Sequence, residues 1–253
     1  MPITLAQIYR YPVKGLTPEP LTRVALAPGF GLPHDRRFAL AHGTTSFDPA
    51  APAWMPKTKF LMLMKNERLA QLRTRFDEAS GVLTILRDGK MAASANITDA
   101  SGRAIIEDFF ASYMHAEASG KPKLLEAPQH MFSDVARKVV SIIGLPSVRD
   151  LERVIGSVVD PRRFRANFYV EGGDPWQEFD WVEREFQIGP VRLRGVKPIS
   201  RCAATNVDPE SGDRDLDIPS ALKASFRHVN TGIYADVLEG GSVAPGDALA
   251  PPV

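Results

Sequence analysis

The run Val196-Lys197-Pro198-Ile199-Ser200-Arg201-Cys202-Ala203-Ala204-Thr205-Asn206-Val207-Asp208-Pro209-Glu210-Ser211-Gly212 holds the only cysteine of the 253-residue chain. A thiol beside Arg201 and near Lys197 sits where positive charge favours the thiolate, the form that ligates metals and attacks electrophiles. The plain alternative is a small buried hydrophobe. Ser200 shares a side with Cys202 if the stretch is extended, whereas Arg201 points away unless the chain turns there. Ser200 therefore ranks above Arg201 as a direct ligand contact. Aspartate before proline favours a turn, so Asp208 and Pro209 are read as shaping the loop after the cysteine.

Working outward, three further stretches gather cations: Tyr11-Pro12-Val13-Lys14-Gly15, Asp35-Arg36-Arg37-Phe38 and Arg163-Phe164-Arg165-Ala166-Asn167. Lys14 follows a strand pattern and precedes Gly15, whose missing side chain lets a ligand approach the backbone. That suits a phosphate, although a solvated lysine in a turn has the same spelling. Arg36 opens an apolar strand and is either an anion contact or half of a weak surface ion pair. Arg165 and Asn167 read as alternate strand positions projecting to one face, able to grip one ligand or merely to bond each other. His228 and Asn230 lie in a His-x-Asn-x-Gly-x-Tyr pattern that is equally compatible with polar surface.

In this order the four segments resemble the MOSC domain family, the module of molybdenum cofactor sulfurase C-terminal regions and of mitochondrial amidoxime reducing components. The family's Thr-x-Val-Asp-Pro-x-[Ser/Thr]-Gly stretch is matched by Thr205 to Gly212, and the resemblance spans nearly the whole chain. It implies a β-rich α+β fold in which a MOSC β-barrel domain (121–253) packs on an N-terminal MOSC-type β-barrel-like domain (1–120). It also implies a molybdenum cofactor (molybdopterin), with Cys202 as the metal ligand and catalytic residue. Lys14, Gly15, Arg36, Arg165, Asn167, Ser200 and Arg201 are then the cofactor-binding candidates. Relatives often carry serine where this chain has Gly15, so a hydroxyl contact is absent here. Pyridoxal phosphate binding is a further family-level implication. The reaction so implied is reduction of a small-molecule N-hydroxylated or other N–O substrate. A sulfur-carrying (persulfide) protein and a non-catalytic cofactor carrier remain open beside it.

Composition limits the remaining choices. At 44% hydrophobic residues the chain buries a substantial core. Its net charge of +1 gives no general attraction to nucleic acid or an anionic membrane, so any anion site is local. One cysteine excludes an internal disulfide framework or a four-cysteine iron–sulfur cluster. Five histidines show no zinc-ligand spacing, and no nucleotide-binding glycine motif is present. Electrons are therefore expected from a separate flavoprotein or ferredoxin-like donor. The opening residues lack a secretory pattern and no stretch is long and apolar enough to span a bilayer, so the expectation is a cytoplasmic protein without membrane or nucleic-acid partners.

Local patterns supply the elements. Alternation predicts strands at 3–11, 21–26 and 37–41. Arg87-Asp88-Gly89-Lys90 predicts a tight hairpin between strands at 83–86 and 91–95. Helical spacing of Ile105, Ile106, Phe109, Phe110 and Met114 predicts a helix over 99–114, capped by Asp99 or Ser101. Later strands are expected at 139–143, 167–170, 186–188, 191–196 and 234–238. Ser147 is read as the cap of a helix over 148–155, and Pro219 opens another to 226. Residues 44–56 read as an irregular loop.

Overall fold

The structure, a computed structural model, describes residues 2–252. Met1 and Val253, the outermost positions of the two expected domains, lie outside the described residues. In chain order the elements are β1 (Ile3–Arg10), β2 (Val13–Lys14), β3 (Glu19–Leu21), β4 (Val24–Leu26), β5 (Phe38–Ala41), β6 (Leu72–Asp77), β7 (Val82–Arg87), β8 (Lys90–Asn96), α1 (Ala100–Tyr113) and β9 (Lys123–Glu126). There follow β10 (Val140–Gly144), α2 (Leu145–Ile155), β11 (Phe168–Glu171), β12 (Glu185–Ile188), β13 (Val191–Ser200), α3 (Ile218–Phe226), β14 (Asn230–Glu239), β15 (Gly241–Val243) and β16 (Ala248–Ala250).

Hydrogen bonding runs β11-β10-β14-β13-β12-β16-β1 and returns from β1 to β11, so seven strands close a barrel. Only β10 and β11 run parallel within it. The barrel's inner face holds Leu5, Ile8, Ile142, Phe168, Ile188, Leu193 and Ile233, all 1% exposed or less. The alternation read at Ile3, Leu5 and Ile8 thus marks the inward face of β1, and that strand from the chain's start completes a barrel made mostly of its second half. Outside the barrel, α2 and α3 cover Ile143 and Tyr169 through Val148, Leu151, Ile218 and Leu222.

The other body joins two three-stranded sheets, β2-β5-β9 and β6-β7-β8, with α1 laid across their shared core of Phe38, Leu40, Phe76, Ile85, Ile106 and Phe110. The predicted hairpin turns at Asp88 and Gly89, with φ of 51° and 73°, the left-handed pair such a turn requires. Asp99 caps α1 by accepting from the Gly102 amide at 2.7 Å. Ile106, Phe110 and Tyr113 form its buried stripe, while Ile105 is 52% exposed. The cap expected at Ser147 is not formed: α2 starts earlier, with Pro146 in its first turn and Gly144 as cap, and the Ser147 hydroxyl donates to buried Glu178 instead. Among the described residues no helix is long and apolar enough to cross a membrane.

Candidate functional site

Between the two bodies lies a cleft of about 620 Å³, whose lining includes all eight residues singled out from the sequence. Cys202 follows β13 and caps a short 3-10 turn, Ala203–Asn206. Its carbonyl accepts from the Thr205 amide and hydroxyl at 3.0 and 2.9 Å, and its free thiol is half-buried. Asp208 does shape the following loop, accepting from the Glu210 and Ser211 amides and from buried Arg163. Arg163 also meets Asp215 at 2.7 Å, so a cation that the sequence reading left without a role pins both flanks of the loop. Arg214 pins it from outside, donating to the Ala203 carbonyl on one side and to the Leu63 and Met64 carbonyls and Glu67 on the other.

The cationic floor centres on Tyr11. The Arg36 and Arg165 guanidiniums lie 4.4 and 4.3 Å from its ring centroid, each a cation over an aromatic face. Arg36 is neutralised by Asp35 at 2.5 Å. Burial opposes its charge, but Asp35 and Tyr11 hold its pKa above the ordinary arginine value. Arg165 meets no carboxylate, and its buried Nη2 has no hydrogen-bond partner among the described residues. Burial, reinforced by Arg36, pushes its pKa down to about 10. An orphaned guanidinium nitrogen is costly to bury, and its position fits an anionic ligand.

Two expectations are corrected. Arg165 and Asn167 do not share a strand face: a 3-10 turn, Pro161–Phe164, ends with Arg165 in the left-handed region at φ 54°, and β11 begins only at Phe168. Asn167 is 1% exposed, its Oδ1 accepting from the Ser141 amide and hydroxyl and its Nδ2 donating to the Tyr9 carbonyl. It frames the cleft with its amide already committed. Second, Lys14 is no solvated lysine: its ammonium meets Asp134 at 2.5 Å and donates to the Phe132 carbonyl at 3.0 Å, and burial lowers its pKa against the pull of Asp134. Gly15 takes φ 84°, with the Leu61 carbonyl 3.3 Å from where a Cβ would sit, so both conformation and space favour glycine.

Ser200 and Arg201 both line the cleft. Ser200 donates to Asn230 at 2.8 Å, while Arg201 is tied to the Phe164 and Thr231 carbonyls and its pKa is lowered by burial. His228 lies away from the lining, packed with Trp176, Phe179 and Phe226. Asp134 enters the lining from a segment that carries no local signal of a site, whereas Tyr234 is the last residue of the His-x-Asn-x-Gly-x-Tyr pattern. Among the described residues no group of three His, Cys, Asp or Glu is placed to hold a metal.

The family model described as MOSC domain matches residues 127–250, and that described as MOSC N-terminal beta barrel domain matches residues 2–135. The chain is 30% identical over 154 residues to mitochondrial amidoxime reducing component 2 of Bos taurus, covering 55% of this chain and 45% of that protein. It is 34% identical over 86 residues to mitochondrial amidoxime-reducing component 1 of Homo sapiens, covering 34% of this chain and 25% of that protein. The chain thus spans less than half the length of these curated relatives. A solved structure, the YUAD protein from Bacillus subtilis, overlaps 98% of this chain and 94% of its own with a TM-score of 0.44 at 11% identity.

Proposed function

The chain belongs to the MOSC family, joining a MOSC N-terminal beta barrel domain to a MOSC domain, and from that premise we propose that it is a molybdenum-cofactor-dependent oxidoreductase reducing N-hydroxylated or other N–O compounds. The observation that carries the reading is the pairing, in one cleft, of a free thiol at Cys202 with an unpartnered buried guanidinium nitrogen on Arg165. Molybdenum is bound by soft sulfur donors. A pyranopterin brings two, so a single cysteine completes the set, and its phosphate needs the cation that Arg165 offers.

In this reading Cys202 holds the metal. Arg165 takes the phosphate, with Lys14 beside it, Gly15 presenting its backbone and Ser200 its hydroxyl. Arg36, Asn167 and Arg201 fix the walls. When bound, the cofactor supplies two-electron redox chemistry and accepts the oxygen. The protein's contribution is to orient it, to order the loop after Cys202 and to present the substrate. Pyridoxal phosphate, the other cofactor implied by the family, would need a free lysine amine; Lys14 is committed to Asp134 and Phe132, which leaves Lys57 and Lys197 as the lining lysines for it. A separate flavoprotein or ferredoxin-like donor and a cytoplasmic location complete the proposal.

The test is metal and pterin analysis of protein purified from a molybdenum-replete host, with anaerobic reduction of an amidoxime by reduced viologen. One molybdenum per chain with turnover supports the reading. Metal without turnover favours a cofactor carrier, and a persulfide on Cys202 without metal favours sulfur transfer. Cys202→Ser, folded by circular dichroism, is expected to lose the metal, because a hard hydroxyl replaces a soft thiolate. Unchanged molybdenum in that variant removes Cys202 from the coordination sphere.

A further inference from the structure

The lining of the cleft is of two kinds. Besides the cations, the lining includes Trp54, Met62, Met64, Met131 and Val135, from the segments before β6 and before β10. Of the three tryptophans, Trp181 is 2% exposed in the barrel core, and Trp176 packs against Phe226 and donates its indole N–H to Asp150. Trp54 is 45% exposed and, among the described residues, its ring has no stacking or hydrogen-bond partner. A large apolar ring left in water at the wall of a cleft gains when a ligand covers it. Methionines beside it adapt to a ligand's outline.

Charge narrows the ligand further. Among the described residues Lys57, Arg165, Lys197 and Arg201 line the cleft without forming a salt bridge, although Asp134 acts on Lys57 and Asp35 on Arg165 at longer range, and the one lining aspartate, Asp134, is paired with Lys14. A bound phosphate offsets only part of that charge, so the field disfavours organic cations.

Resting on the function proposed above, we propose that the substrate is a neutral N-hydroxylated compound with a flat apolar body that lies on Trp54, and that Trp54 is the residue selecting it. The reaction breaks the N–O bond and forms N–H and water, consuming two electrons from the external donor and two protons. An amidoxime is a weak base and enters neutral. The amidine it yields is protonated at neutral pH and is repelled by the walls that admitted its precursor.

The experiment compares benzamidoxime with acetamidoxime, which keeps the reacting head and lacks the flat body, in the cofactor-loaded protein driven by reduced viologen. Trp54→Ala is expected to raise KM for benzamidoxime about tenfold with kcat unchanged, to leave acetamidoxime unaffected, and to be rescued by Trp54→Phe. Equal losses on both substrates, or a change in donor dependence alone, overturn the proposal. Tryptophan fluorescence is the second readout: benzamidoxime is expected to quench it in the wild type and not in Trp54→Ala, and benzamidinium to quench neither. If the wild type reduces neither amidoxime the functional reading fails, and the titration still decides the assignment of Trp54. No quenching by benzamidoxime, or equal quenching by benzamidinium, overturns it.

Discussion

The guanidinium of Arg36 donates to the main-chain oxygen of Arg165 at 2.7 Å, so one cation fixes the corner from which the other projects. Both residues hold left-handed backbone, at φ 48° and 54°, a conformation that non-glycine residues adopt rarely. The two differ in charge balance: among the described residues Arg36 forms a salt bridge with Asp35, whereas Arg165 forms none and leaves its Nη2 without a hydrogen bond. A buried charge without a partner lowers stability. Arg165→Met, similar in length and apolar, is therefore expected to raise the stability of the cofactor-free protein by about 1–2 kcal/mol while cofactor retention through gel filtration falls. The first is read as a higher denaturant midpoint at unchanged slope. A loss of both stability and retention would make Arg165 a structural residue.

Arg214 joins the loop after Cys202 to the other body through three carbonyls and Glu67. Its side chain is 34% exposed, so solvent weakens the ion pair and removing it costs global stability less than about 1 kcal/mol. Local order is another matter. Arg214→Ala is expected to speed amide exchange at Thr205 and Val207 by about tenfold, with the unfolding midpoint nearly unmoved. Exchange equal to wild type would show that Arg163 alone orders the loop.

Glu178 is 1% exposed, and burial raises its pKa above the ordinary 4.5, against the hydrogen bonds from Ser147 and the Gly144 amide that favour its charge. Below 4.5 both folded and unfolded chains are protonated there, and nothing is lost. As pH rises, the unfolded chain ionises first, so the native state holds the extra proton and stability falls until the folded group titrates. Glu178→Gln cannot titrate. The difference in melting temperature, variant minus wild type, is expected to grow more positive as pH rises from 4 to 7. A difference that is flat with pH would mean that the carboxyl is ionised equally in both states.

A chain with one cysteine and no dinucleotide-binding glycine motif has no evident route for electrons from a nicotinamide. NADH or NADPH alone is expected to give no amidoxime reduction, and added flavoprotein with a ferredoxin-like carrier to restore it. Anaerobic substrate consumption with each donor in turn checks this. Turnover by the purified chain with NADH alone would overturn the need for a separate donor.

Local spelling made part of this molecule legible. Asp88-Gly89 announced its hairpin, Asp99 capped its helix, and the stretch around Cys202 is one continuous segment whose residues reach one cleft together. What depends on distant partners was not legible. Lys14 looked solvated because Asp134 stands 120 residues away. Arg165 and Asn167 looked like strand neighbours because nothing in Arg-Ala-Asn reveals that the preceding turn ends in a left-handed residue. Gly102 carried no reading; a Cβ there would sit 1.6 Å from the Asn96 carbonyl, so the helix can lie against β8 only if that position is bare.

The seam of the barrel also governs when it can exist. β1 bonds to β11 along one edge and β16 along the other, so a strand made early must wait for one made late before the ring is whole. Until then Ile3, Leu5 and Ile8 face no finished interior, and nascent chains have to shelter them while β11 and β16 are still being made. A fragment limited to residues 127–250 would carry two raw strand edges where β1 belongs, and such edges recruit other chains. The smallest unit able to close runs from β1 to β16.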